Sequence, residues 1–131
     1  MSITRELWIS NLLDAASRIA DKETQERRWL ASDAYAWERP EELINVLFDD
    51  SCFDLFIEEF GGEFTDVQRD KAVLLKRLMD NYCDATPVWL DPAQVLADPR
   101  WEAIRESARA FVSASKDKWP KNTAADVATN Q

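Results

Sequence analysis

The chain is 131 residues long, 46% of them hydrophobic, with two glycines, no histidine and a formal charge of −9. This composition fits one compact, helix-rich domain that buries its own core without metal or disulfide staples, and it excludes a disordered chain. The missing histidine removes Ser-His-Asp and Cys-His catalysis and the usual zinc sites, and two adjacent glycines, Gly61 and Gly62, cannot form a phosphate-cradling loop.

The first helix is expected from Ser2 or Thr4 to Ala20, because Ile3, Leu7, Trp8, Leu12, Ala16 and Ile19 recur at helical spacing. Glu6 and Asp14 interrupt that apolar run, which argues against a signal peptide. A second helix follows over Lys22 to Ala31, carrying Trp29 and Leu30 beside Arg27 and Arg28. Ser32 to Arg39 has no period and reads as a connection bearing Tyr35 and Trp37. Pro40 suits the first position of a third helix, where its missing N–H would have had no partner. Leu43, Ile44, Val46, Leu47 and Phe48 form that helix's apolar arc, with Glu41, Glu42, Asn45 and Asp49 on the opposite stripe.

Ser51 offers an N-cap for a fourth helix, with Asp54 three positions on. Phe53, Phe56, Ile57 and Phe60 follow at i, i+3, i+4 and i+7, and Gly61-Gly62 supplies a left-handed stop. Thr65 and Gln68 form the capping pair of a long helix to about Cys83. Its buried side reads as Val67, Leu74, Leu75, Leu78, Met79 and Tyr82. Thr86 to Leu90 has extended character. Asp91-Pro92 and Asp98-Pro99 are successive cap-plus-proline starts, opening a short helix to Ala97 and a last helix from Pro99 to about Ser115. Trp101, Ile104, Ala108, Phe111 and Val112 face inward, and residues 116–131 read as a polar tail. The expected fold is all-α, a single compact domain of six or seven helices over residues 1–115 without significant sheet.

Six tryptophans point to aromatic packing in the core or at an interface. Cys52 and Cys83 lack CxxC spacing and read as free, buried thiols. No run approaches the ~20 continuous apolar residues of a membrane span. The cytoplasm is the expected compartment.

The charge is unevenly spread. Between Asp33 and Asp66 stand eleven carboxylates and one cation, Arg39, while the rest of the chain sets fifteen cations against fourteen acids. Seven aromatic rings lie in the same stretch. Such a concentration of anions repels phosphate backbones and anionic lipid, so the expected partner is a basic protein, not nucleic acid or membrane. Asp49, Glu58 and Glu59 fall toward helix C-termini, where the dipole disfavours anions by about 0.3–1 kcal/mol each. Elsewhere opposite charges stand at pairing distance, as in Lys76 with Asp80 and Glu106 with Arg109. The expected docking set is Asp33, Tyr35, Trp37, Glu38, Glu41, Glu42, Asp49, Asp50, Asp54, Glu58 and Glu59, with Tyr35 and Trp37 as anchors. The competing reading is internal neutralisation by Arg18, Lys22, Arg27 and Arg28.

No catalytic set accompanies these acids. Asp49, Asp50 and Asp54 form a DDxxxD string, but it spans a helix end, a turn and a helix start, whereas a hard-cation site needs converging oxygens. No pair of acids is marked as flanking a cleft. The expectation is a non-enzymatic chain with no cofactor and no metal.

One further likeness rests on Trp37-Glu38-Arg39-Pro40-Glu41-Glu42-Leu43, on Leu47-Phe48-Asp49-Asp50, and on Leu96-Ala97-Asp98-Pro99-Arg100-Trp101-Glu102. With these runs the chain resembles the small, acidic immunity proteins of bacterial toxin–immunity pairs. The resemblance implies inhibition without chemistry, an acidic face plugging the basic substrate groove of a nuclease or similar toxin. The alternatives are an acidic secretion chaperone or adaptor, which needs an extended apolar groove, and a carboxylate-dependent enzyme, which needs convergent acids in a deep pocket.

Overall fold

The structure, a computed structural model, describes residues 4–30, 39–86 and 90–119. It is all-α. The described helices are α1 (Arg5–Ala20), α2 (Lys22–Trp29), α3 (Pro40–Asn45), α4 (Phe53–Phe60), α5 (Asp66–Ala85), α6 (Pro92–Ala97) and α7 (Pro99–Lys118). A π turn, Val46–Asp50, continues α3, and a 3-10 turn, Gly61–Glu63, continues α4.

Most helix starts follow from short polar side chains that accept otherwise unpaired backbone N–H groups. Thr4 accepts from the Leu7 N–H at 3.1 Å. Asp21 ends α1 and caps α2, accepting from the Thr24 N–H at 3.1 Å and the Thr24 hydroxyl at 2.7 Å. Thr65 and Gln68 make the expected reciprocal box at the head of α5. Asp91 and Asp98 each accept from the amide two residues on, with proline at the first helical position.

The central element is α7, which packs along both α5 and α1. Its expected inward stripe of Trp101, Ile104, Ala108, Phe111 and Val112 is buried. On α5 the stripe differs from expectation: Val67 is 58% exposed, while Gln68, Ala72, Leu75, Met79 and Tyr82 are buried. The 3.6-residue period drawn back from Met79 and Leu75 meets Ala72 and Gln68, and it leaves Val67 outside. Gln68 is tolerated there because its amide is satisfied. Its Nε2 donates to Ser115 Oγ at 3.1 Å, and its Oε1 accepts from the Thr65 N–H at 3.4 Å.

α4 buries Phe53, Phe56 and Phe60. Phe53 meets Phe111 of α7 with ring centroids 5.7 Å apart, and Trp8 of α1 stands edge-on to Phe56 and Phe60 at 5.8 and 5.2 Å. The Trp8 indole N–H also donates to the Ser51 carbonyl at 2.8 Å, which pins the turn before α4.

Two end signals of α4 are corrected. Ser51 is buried and does not cap; Cys52 takes the N-cap position in the left-handed region, φ 52°, with no side-chain cap. The preceding π turn shifts the register so that Ser51 lies under Trp8. Gly61 has φ −58° and not the left-handed stop, because the chain tightens into the 3-10 turn and the Arg69 guanidinium donates to the Gly61 carbonyl.

Both cysteines are exposed, contrary to the buried thiols expected. Cys52 projects from the irregular cap, and Cys83 follows Tyr82 and so falls off the buried stripe of α5. The last helix passes the expected Ser115 and runs to Lys118. Trp119 then packs on Phe56, Phe60 and Phe64, with centroids 6.0 to 6.1 Å apart, so residues 116–119 join the helical body. The expected connection at Ser32 to Arg39, the extended piece from Thr86 to Leu90 and the tail fall wholly or largely on 31–38, 87–89 and 120–131, outside the described residues. No helix among the described residues is long and apolar enough to cross a membrane.

Candidate functional site

Asp33, Tyr35, Trp37 and Glu38 of the expected docking set lie outside the described residues. The remaining acids sit on α3, the π turn and α4, and they divide into two groups.

The first group is used within the fold. Glu41 Oε2 accepts from the Leu90 N–H at 3.0 Å, and Oε1 faces Arg39 Nε at 3.3 Å. Arg39 Nη2 in turn donates to the Leu90 carbonyl at 2.7 Å, so this pair ties the head of α3 to the approach of α6. Desolvation pushes the Glu41 carboxyl upward, but the N–H bonds from Leu90 and from Glu41 itself, with the Arg39 guanidinium, outweigh it and hold the pKa below the ordinary glutamate value. Glu42 accepts from the Arg39 N–H at 2.9 Å and so closes the N-terminus of α3. Asp54 stands 3.7 Å from Lys76 Nζ, an ammonium that also donates to Asp80 at 2.7 Å. The Asp80 hydrogen bond, with the Asp54 charge, raises the Lys76 pKa against a smaller desolvation effect. Glu63 pairs with Arg5, whose guanidinium lies 5.4 Å from the Phe60 ring centroid.

The second group is left to solvent. Asp49, Asp50, Glu58 and Glu59 are exposed and make no ion pair among the described residues. Neither the π turn nor α4 has a basic residue in its last turn to offset them. Leu55 is 50% exposed on α4. Glu58 and Glu59 follow it at i+3 and i+4, so the three share one helical face. That face presents an apolar side chain beside two unpaired carboxylates, with Asp49 and Asp50 at the end of the π turn that precedes it.

Among the described residues, internal neutralisation therefore occurs in part, with Arg5, Arg39 and Lys76 as partners of the block's acids. Among the described residues, Lys22, Arg27 and Arg28 make no ion pair with the block. The contributions of Arg5 and Lys76 were invisible in the sequence because each reaches an acid distant in the chain, Glu63 and Asp54. Leu55 did carry a signal: a helix that buries Phe53, Phe56 and Phe60 must turn residue 55 outward.

Among the described residues no three histidine, cysteine, aspartate or glutamate groups gather as a metal site. An open depression of about 390 Å³ at the edge of α1 and α7 has one carboxylate in its wall, Asp21, beside Arg109 and Lys116, and so offers no facing acid pair. In comparisons with known proteins, no family model, curated protein or solved structure matches the chain.

Proposed function

We propose that the protein is a non-catalytic binding module whose acidic face covers a basic protein surface in the cytoplasm, as an immunity protein blocking a toxin such as a nuclease would do. The observation that carries this reading is the set of four exposed carboxylates, Asp49, Asp50, Glu58 and Glu59, that make no ion pair among the described residues, the last two sharing a helical face with Leu55. Anions at the last turn of a helix are disfavoured by about 0.3–1 kcal/mol each, so stability alone gives no reason for their placement. A cationic partner does. Concentrated negative charge speeds encounter with a basic surface and orients it, and an apolar side chain within the contact prolongs residence. Among the described residues the exposed large apolar side chains are scattered, with Leu7 on α1, Leu30 just past α2, Leu55 on α4, and Val67 and Val73 on α5. That distribution suits a charged contact with local apolar anchors better than a chaperone groove.

The reading is tested on the basic protein that co-purifies from the source cell at low salt, by stopped-flow association with this chain at rising ionic strength. The rate constant is expected to fall at least about ten-fold between dilute buffer and roughly 0.5 M salt. A rate indifferent to salt would contradict the proposal.

A further inference from the structure

On α7, Arg109, Val112, Ser113 and Lys116 recur at i, i+3, i+4 and i+7; at the end of α1, Ser17, Ala20 and Asp21 recur at i, i+3 and i+4. The two stripes meet where α1 packs on α7, and together they line the depression of about 390 Å³. Ser17, Ala20, Val112 and Ser113 are short side chains, so the helices leave a trough between them, with Val112 nearly enclosed. Its volume falls within the roughly 300–1,000 Å³ of small-molecule sites.

The strong acceptors of this wall are already engaged. The Ala20 carbonyl accepts from Arg109 Nη2 at 3.4 Å. Asp21 Oδ1 accepts from the Thr24 N–H at 3.1 Å and Oδ2 from the Thr24 hydroxyl at 2.7 Å, so that carboxylate serves the first turn of α2. The Arg18 and Ile19 carbonyls, which precede them, accept from the Gln25 side-chain amide at 2.9 and 2.8 Å.

Donors are in surplus. Arg109 gives one nitrogen to the Ala20 carbonyl and keeps the rest of its guanidinium fork. Neither Arg109 nor Lys116 makes an ion pair among the described residues. Glu106, the partner that spacing suggests for Arg109, does not pair with it. The Ser17 and Ser113 hydroxyls make no hydrogen bond among the described residues either. Two unpaired cations and two unbonded hydroxyls about an apolar floor call for acceptors that carry negative charge.

We propose that this trough is a binding site for a small phosphate monoester. Arg109 and Lys116 hold the dianionic head, the Ser17 and Ser113 hydroxyls are further donors, and a short apolar body lies on Ala20 and Val112. An arginine fork matches phosphate oxygens two at a time, and the lysine adds a point charge. The site uses no residue of the acidic face on α4, so either can stand without the other.

Amide NMR of the full-length protein, titrated with phenyl phosphate at constant ionic strength and about pH 8, where the phosphate is dianionic, tests the site. Shifts should saturate with a Kd of about 1 mM or lower and centre on residues 17–21 and 109–116. Phenol, which lacks the head, and inorganic phosphate, which lacks the body, should each bind at least about ten-fold more weakly. The double variant Arg109→Gln, Lys116→Gln, at two exposed positions, should weaken phenyl phosphate binding by about ten-fold or more. Asp21→Asn, which retains a capping oxygen and removes the negative charge, should tighten it by about three-fold. No saturating shift at these residues, or unchanged affinity in the double variant, would overturn the proposal. So would phenol or inorganic phosphate binding as tightly as phenyl phosphate. Should the double variant not fold, Asp21→Asn decides, since an affinity no tighter than the parent's would also overturn it.

Discussion

Helices α5 and α7 begin at satisfied caps and carry paired charges, as Lys76 with Asp80 and Arg100 with Asp98. Residues 40–63 run instead through a π turn, a left-handed Cys52 with no side-chain cap, and carboxylates at the wrong end of a helix. Poor packing does not explain the difference. Phe53 and Phe56 are fully buried, and their rings join those of Phe111, Trp8 and Trp119. The irregular region buries its rings as completely as the regular one, and its departures lie in the backbone of its turns and on its outer surface. Departures of this kind collect where a surface serves recognition.

The comparison breaks first if the anchoring is unequal. Phe56→Ala should destabilise the fold by about 3–5 kcal/mol in urea unfolding, similar to Trp101→Ala, since each removes a fully enclosed ring. A loss below about 1 kcal/mol at Phe56 would mean that α4 is loosely held and that its odd geometry is mere slack. Cys52→Gly sharpens the contrast from the other side. Glycine adopts φ near +52° without the clash of a Cβ, so this substitution should stabilise by about 1 kcal/mol, a gain not expected at a regular helix start. Glu58→Lys and Glu59→Lys should each stabilise by about 0.3–1 kcal/mol at low salt, with the gain fading as salt rises.

The smallest effect is expected at Glu41. Its folded pKa lies below the ordinary value, so its contribution to stability is complete above the unfolded pKa and is lost as pH falls through the folded one. Glu41→Gln should therefore flatten the acid limb of the stability–pH profile in that window and leave neutral-pH slopes unchanged. An unaltered acid limb would show that the link from α3 to Leu90 does not persist in solution.

Much of this contrast could be read before any coordinates. The caps at Thr65, Asp91 and Asp98 are local, and so they were legible, as were the proline starts and the aromatic stripe of α4. The π turn was not, because Val46 to Asp50 keeps an ordinary apolar arc whether the turn has four or five residues per hydrogen bond. The role of Ser51 was misread since its carbonyl is claimed by Trp8, 43 positions away. The acidic block was visible as composition; its division into used and unused carboxylates was not. That division depends on Arg5 and Lys76 arriving from α1 and α5, and on the Leu90 amide arriving before α6. Only the folded chain decides which anions are left over.

The most direct test joins binding to stability in one protein, the triple variant Asp49→Lys, Glu58→Lys, Glu59→Lys. The account predicts that it folds at least as stably as the parent chain while its affinity for the basic partner falls about 100-fold or more at low salt. An affinity equal to the parent's, in a variant with intact helicity, would contradict the claim that these carboxylates are kept for a cationic partner.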